Sequence, residues 1–481
     1  MQATMIFSNL FTRLAESRTK VHKHCSVIAR HTLAVTLATC VAWTQTAPAF
    51  AQNARPLPVI RDAEIEALLQ DYARPLFRAA GVHSSAIEII LLNDRNFNAF
   101  VATGRLMFVN IGVLLDAKTP NEVIGVLAHE TGHIAGGHLA RLRDALEKSQ
   151  TMAMIGALLA VGAMAAGAAT GSSGLSQGGG ALLGAGASVA QRNFLSYQRG
   201  EEMAADRAAL TYLAKTRQSA AGMLKTFRKL ADQQMFSAKF ADPYAQSHPM
   251  ARDRVSQLEH AAKRSKYFGK KDSAALQFRH NMMKAKILGF VAHPQTVGRR
   301  YPKKDTSLPA RYARAIVAYR HGNPARAIAQ IDALIKTNPR NPYFWELKGQ
   351  ALVESGKPKR AIRPLQTAVK LAPKSALIRL SLGNALVASN DKKLLKSAVS
   401  NLTRGLKNAP NSPIAWRQLA IAYHKLGRNG MADLATAQGM AANGNIGTAK
   451  RYAARARKKL KRGSPAWLQA DDIVTFRMPK L

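Results

Sequence analysis

Residues 129–133 read His-Glu-Thr-Gly-His, at the end of an amphipathic stretch that begins at Asn121. Residues four apart on a helix lie about 40° apart around its axis, so His129 and His133 can turn both imidazoles to one metal ion. Glu130, one position along, falls beside such an ion, where a carboxylate can take a proton from a bound water. Two nitrogen ligands, a base and an open coordination position are what zinc-dependent peptide hydrolysis needs. Five-letter motifs also arise by chance in long chains, so other residues must decide.

A third ligand is required, and two positions offer one. His138 is one residue short of the register in HExxHxxGxxH: Gly136 fits, but position 139 is leucine. An offset of one residue turns a side chain by about 100°, away from the metal. The other candidate is Glu202, in Glu202-Met203-Ala204-Ala205-Asp206. Glu202 and Asp206 share a helix face, so Glu202 can ligate while Asp206 accepts from the free ring N–H of a ligand histidine. Acidic residues near a helix start are otherwise an ordinary surface feature. With the upstream motif present, the ligand reading is favoured. The expected site is then Glu130 as base, His129, His133 and Glu202 on one Zn2+ per chain, and Asp206 behind them.

Several segments together resemble the membrane-linked zinc peptidases that include HtpX and the CAAX prenyl proteases, and among them the BepA-type periplasmic members. They are Asn93-Asp94 through Asn98-Ala99-Phe100 to Phe108–Gly112; Leu127–His133 with His138; Glu202–Asp206; and Ser247-His248-Pro249 followed by Arg254-Val255. The resemblance implies a mainly α (α+β) fold: a peptidase domain with a small edge sheet, then a tetratricopeptide-repeat α-solenoid. It implies His248 as a regulatory fourth ligand that displaces the catalytic water. The strand around Asn98–Asn110, with Asn98, Ala99 and Phe100 at its start, would pair with an extended substrate by main-chain hydrogen bonds. The alternative for those three residues is a plain loop-to-strand entry. Implied substrates are unfolded or misassembled envelope proteins, and an implied repeat partner is the outer-membrane assembly machinery. Two departures, Gly200-Glu201 before the glutamate and Arg105 where the family often has glycine, bear on substrate preference rather than on the metal.

Residues 1–51 combine a basic start, an apolar run from Thr32 to Trp43 and the ending Ala49-Phe50-Ala51, which predicts a secretory signal cleaved before Gln52. Both cysteines, Cys25 and Cys40, fall inside it, so no disulfide framework is expected in the exported chain. A periplasmic location follows, peripheral to a membrane. Residues 52–260 are expected to form the peptidase domain, 261–308 a basic connector that is helical around Met282–Phe290, and 309–470 the repeats. Charge divides unevenly: residues 52–260 hold 21 Lys/Arg and 18 Asp/Glu, whereas 261–481 hold 44 and 9. In that basic half Gly322, Ala327 and Pro339 recur as Gly356, Ala361 and Pro373, each 34 residues on, and a three-residue slip precedes Pro410. A 34-residue period of helix pairs is that of tetratricopeptide repeats, and roughly four are expected.

Residues 149–191 carry no charge. Met152–Ala169 is near the minimum membrane span, but 11 of its 18 residues are Ala or Gly. A crossing there would also separate the histidines from Glu202, so a helix followed by a Gly/Ser-rich flexible loop is expected instead. Three function classes compete: a zinc endopeptidase, a repeat-based chaperone or scaffold with a latent protease, and a nucleic-acid binder suggested by the formal charge of +42. Export disfavours nucleic acid. An anionic membrane, lipopolysaccharide or an acidic envelope protein is the better match for the basic repeats.

Overall fold

The structure is a computed structural model, and it describes residues 57–83, 87–170, 173–236, 248 and 252–477. The expected export signal lies outside the described residues.

The chain begins with β1 (Val59–Ile60) and α1 (Ala63–Ala79), whose first turn is capped by the Asp62 carboxylate accepting from the backbone N–H groups of Glu64 and Ile65. β2 (Glu88–Leu92), β3 (Ala99–Ala102) and β4 (Leu106–Asn110) complete a four-stranded sheet in the order β1-β2-β4-β3. β2 runs parallel to β4, and the other two pairs are antiparallel. The single strand expected over Asn98–Asn110 is instead a hairpin. Thr103 and Gly104 both have positive φ, 56° and 70°, which folds β3 back on β4. Phe100 pairs with Phe108 across it, their rings stacked at 4.9 Å. β3 is left as an edge strand.

After α2 (Ile111–Asp116) comes α3 (Pro120–Gly136), which carries the His-Glu-Thr-Gly-His segment and is buried from Pro120 to Gly132. Its apolar residues join α1 and the sheet in one core with Leu68, Tyr72, Phe77, Met107 and Val109. Gly137, at φ +66°, ends the helix in the left-handed conformation that glycine adopts without strain. α4 (His138–Thr170) and α5 (Ser173–Lys215) then form a long helical hairpin. The flexible loop expected over residues 171–190 is therefore mostly helix, continuous from Ser173 into the segment of Glu202. No helix among the described residues is long and apolar enough to cross a membrane. α6 (Ala221–Phe236) packs on α3, and α7 (Arg252–Lys263) packs on α5 and α6.

The expected connector is more regular than its composition suggests. α8 (Ala274–Val291) places Met283 and Ile287 in the peptidase core and Met282 in the first repeat's core. Buried Lys286 on α8 lies 2.8 Å from Asp62 Oδ2 and 3.3 Å from Glu64 Oε2, and the Tyr312 hydroxyl donates to Glu64 at 2.9 Å. Burial opposes the ammonium charge, but Asp62, Tyr312 and Glu64 around it hold its pKa well above the ordinary value. α9 (Pro294–Arg300) follows. The repeats are helix pairs: α10 (Leu308–His321) with α11 (Pro324–Thr337), α12 (Pro342–Glu354) with α13 (Pro358–Leu371), α14 (Ala376–Ala388) with α15 (Leu395–Asn408), and α16 (Pro413–Lys425) with α17 (Asn429–Ala442). α18 (Ile446–Lys459) and α19 (Pro465–Thr475) close the array. A 3-10 turn at Lys392–Leu394 accounts for the three-residue slip. Trp345 and Trp416, in equivalent places, each donate the indole N–H to the carbonyl of the proline six residues before, Pro339 and Pro410.

Candidate active site

α3 brings His129 and His133 one turn apart, and α5 lays Glu202 and Asp206 against them. The approach is close: a Cβ on Gly132 would meet the Ala205 backbone within 3.0 Å. His129 Nε2 lies 3.0 Å from His133 Nε2 and 3.3 Å from Glu202 Oε2, and His133 Nε2 lies 3.3 Å from Glu202 Oε1. His248 completes the group, with Nδ1 2.8 Å from Glu202 Oε1 and 3.4 Å from His129 Nε2. The four ligand atoms of His129, His133, Glu202 and His248 all lie within 4.8 Å of one another. Glu130 is buried beside them, its Oε1 3.7 Å from His248 Nε2.

The surrounding residues fix this arrangement. His129 Nδ1 lies 3.0 Å from Asp206 Oδ1, and Arg254 donates from Nε and a terminal nitrogen to the Asp206 carboxylate at 2.6 and 2.9 Å. The third guanidinium nitrogen is 2.8 Å from Glu202 Oε2. Arg254 was visible in the sequence only as the arginine after His248-Pro249. Its contact with both acidic residues is a property of the fold, because α7 returns 48 residues after Asp206.

Burial presses the His129 imidazole down, but hydrogen bonds to Asp206 and Glu202 outweigh it and raise it to about 9. Burial pushes His133 down to about 3, with neighbouring His129 and His248 adding to the effect against the pull of Glu202. Burial also opposes ionisation of Glu202, yet His248, His129 and His133 hold its carboxyl well below the usual range. For Asp206, burial is overcome by the hydrogen bonds from Arg254 and His129. Three imidazole nitrogens converge there with one carboxylate oxygen, a donor set that suits zinc. The residues present therefore fit the ion.

A cleft of about 190 Å³ opens beside the cluster. Glu130, His133, Glu202 and His248 line one side, and Phe100, Val101, Leu139 and Leu142 give it an apolar wall. Of the expected substrate-strand residues, Phe100 lines this cleft. Ala99 is buried in the sheet, and the Asn98 carbonyl accepts from the Asn110 backbone N–H at 2.9 Å. His138 lies outside the four-residue cluster. The cause is the Gly137 break, not rotation along a continuous helix.

The chain is similar to known families and proteins. The Peptidase family M48 pattern matches residues 60–262, and the tetratricopeptide-repeat pattern matches 312–376 and 347–394. The putative beta-barrel assembly-enhancing protease of Vibrio cholerae serotype O1 (strain ATCC 39315 / El Tor Inaba N16961) is 28% identical over 210 residues, 43% of this chain and 41% of that protein. The beta-barrel assembly-enhancing protease of Yersinia pestis is 25% identical over 299 residues, 60% of this chain and 58% of that one. Its namesake in Escherichia coli (strain K12) is 22% identical over 205 residues, 43% and 40%. The chain thus spans about two to three fifths of the length of these relatives. Residues 60–262 are a peptidase domain of family M48, and the chain that carries it continues into tetratricopeptide repeats.

Proposed function

We propose that this chain is a zinc-dependent endopeptidase of the bacterial envelope that degrades misfolded or stalled outer-membrane proteins and aids their assembly. The observation that carries this reading is the largely buried group of His129, His133 and Glu202 with Glu130 beside it, opening on a cleft under a free sheet edge. His129, His133 and Glu202 would hold one zinc ion per chain. Such an ion supplies a Lewis acid for the scissile carbonyl and makes a water nucleophilic at neutral pH. Glu130 takes the proton of the attacking water and returns it to the leaving amine. Asp206, fixed by Arg254, keeps the His129 proton on Nδ1. β3 offers its unpaired edge to an extended chain, a mode that reads little sequence and suits unfolded substrates. Zinc content together with casein cleavage tests the reading; a chain with neither would be a binding module.

The position of His248 supports a second role. It sits among the ligands and touches Glu202, where it would compete with the catalytic water and hold the peptidase latent while the repeats act as an assembly scaffold. The domain limits 52–260, 261–308 and 309–470 are part of the same proposal, as is export by residues 1–51. The repeats would engage the outer-membrane assembly machinery and an anionic membrane or lipopolysaccharide surface. Between Glu354 and Asp433 the only acidic residue is Asp391, against 15 Lys/Arg. Of these, Lys359, Arg360, Arg363 and Lys370 on α13, with Lys396, Arg404 and Lys407 on α15, are exposed. Nucleic acid remains the disfavoured partner for an exported chain.

A further inference from the structure

Beyond the ligands, a line of side chains runs from His133 to the protein surface. His133 Nε2 faces the cluster, and its other nitrogen, Nδ1, lies 2.9 Å from Nδ1 of His138. His138 Nε2 lies 3.0 Å from Glu201 Oε2. Arg141 holds both oxygens of that carboxylate, Nε to Oε1 at 3.2 Å and a terminal nitrogen to Oε2 at 2.7 Å. Its other terminal nitrogen donates to the Gly136 carbonyl at 2.6 Å.

The proton positions follow from chemistry. A histidine that binds a metal through Nε2 keeps its proton on Nδ1. Two ring nitrogens 2.9 Å apart form a hydrogen bond only if one of them is bare. His133 therefore donates from Nδ1–H to a bare His138 Nδ1, and neutral His138 carries its proton on Nε2, facing the Glu201 carboxylate. Each link determines the next, and Arg141 anchors the far end.

The fold is built around this line. Gly137 turns the chain so that the His138 ring folds back over Gly136, where a Cβ would stand 2.1 Å from His138 Nε2. Any side chain at 136 would expel the ring. His129 is oriented differently, directly by the Asp206 carboxylate. The two candidate ligand histidines thus have separate supports.

We propose that His138, Glu201 and Arg141 are positioning residues that fix the tautomer and orientation of His133 for metal binding. The inference rests on the zinc-site reading above, and its test separates the two. Zinc affinity of the full chain is measured by competition with a chelator, alongside melting of the zinc-free protein. His138→Ala should weaken zinc binding about 10- to 100-fold, the usual scale for losing such support. His138→Gln should restore most of it, because its amide oxygen can accept from His133 and its NH2 can donate to Glu201. Glu201→Ala, which removes a partly exposed group and leaves the core intact, should weaken zinc in the same direction. Ring 15N shifts of His133 in the zinc-loaded protein should show Nδ1 protonated and should change in His138→Ala. Wild-type zinc affinity in His138→Ala, or equal loss in His138→Gln with lowered melting of the zinc-free protein, would overturn the positioning role. Failure of the unmodified chain to bind zinc would sink the metal site itself.

Discussion

Gly132 faces the carbonyl of Ala205 with no room between them: a Cβ on Gly132 would stand 2.8 Å from that oxygen. Gly132 belongs to the helix of His129 and His133, and Ala205 to the helix of Glu202. The missing side chain sets how closely the three candidate ligands approach.

Gly132→Ala should therefore push the helices apart. Alanine alone favours a helix by about 1 kcal/mol, but a methyl forced against backbone costs about 1–3 kcal/mol. The expected outcome is unchanged or lower melting with zinc affinity down at least about tenfold, the scale of lost ligand support. Chelator competition on the purified variant checks this, and undiminished affinity would show that the contact does not set the ligand spacing.

His248→Ala should raise proteolysis and self-cleavage, because the proposed latch is a side chain already seated against Glu202. Rates of casein cleavage and of autolysis in the two proteins decide it. Unchanged or lower activity would assign His248 to substrate or transition-state binding instead.

A pH effect is expected away from the metal site. Buried His280 donates from Nε2 to the Ala117 carbonyl and accepts at Nδ1 from the Tyr72 hydroxyl, both at 3.2 Å. Burial lowers its pKa from 6.5 to about 4, so it stays neutral when folded. The unfolded chain then binds more protons between these values, so stability is full above pH 6.5 and falls as pH drops towards 4. The loss approaches about 3 kcal/mol at 1.36 kcal/mol per pKa unit. Denaturant melts across that window should be steeper in pH for the unmodified protein than for His280→Gln; parallel curves would contradict the assignment.

The exposed basic side chains of α13 and α15 predict salt-sensitive docking. Their charges act over a Debye length of about 8 Å at physiological salt. The full chain should sediment with anionic vesicles at low salt and release them at high salt, and charge reversal at Lys359, Arg363 and Arg404 should weaken binding. Equal binding to neutral vesicles would show that these charges are not the docking device.

The sequence revealed most where periodicity or spacing carries the information. The helix of His129 and His133, the Glu202–Asp206 face and the 34-residue repeats are all local patterns, and each appears in the fold as a helix or helix pair. It revealed least where tertiary contact overrides local composition. Residues 173–190 are Gly- and Ser-rich enough to suggest a loop, yet they continue a helix paired along its partner. Thr103-Gly104 is a turn signal inside a run that otherwise reads as one strand. Arg254 and His138 could be named in the sequence but not given roles. Their partners, Asp206 and Glu201, are 48 and 63 residues away, and only the folded chain brings them together.

The most direct test of the account is the paired measurement of zinc content and casein cleavage in Glu130→Gln and Glu202→Ala. Glu130→Gln should keep about one zinc per chain, since His129, His133 and Glu202 remain, while hydrolysis falls by about 10²–10⁴-fold, the contribution of a general base. Glu202→Ala should lose both metal and activity. Cleavage at the unmodified rate by Glu130→Gln would contradict the account.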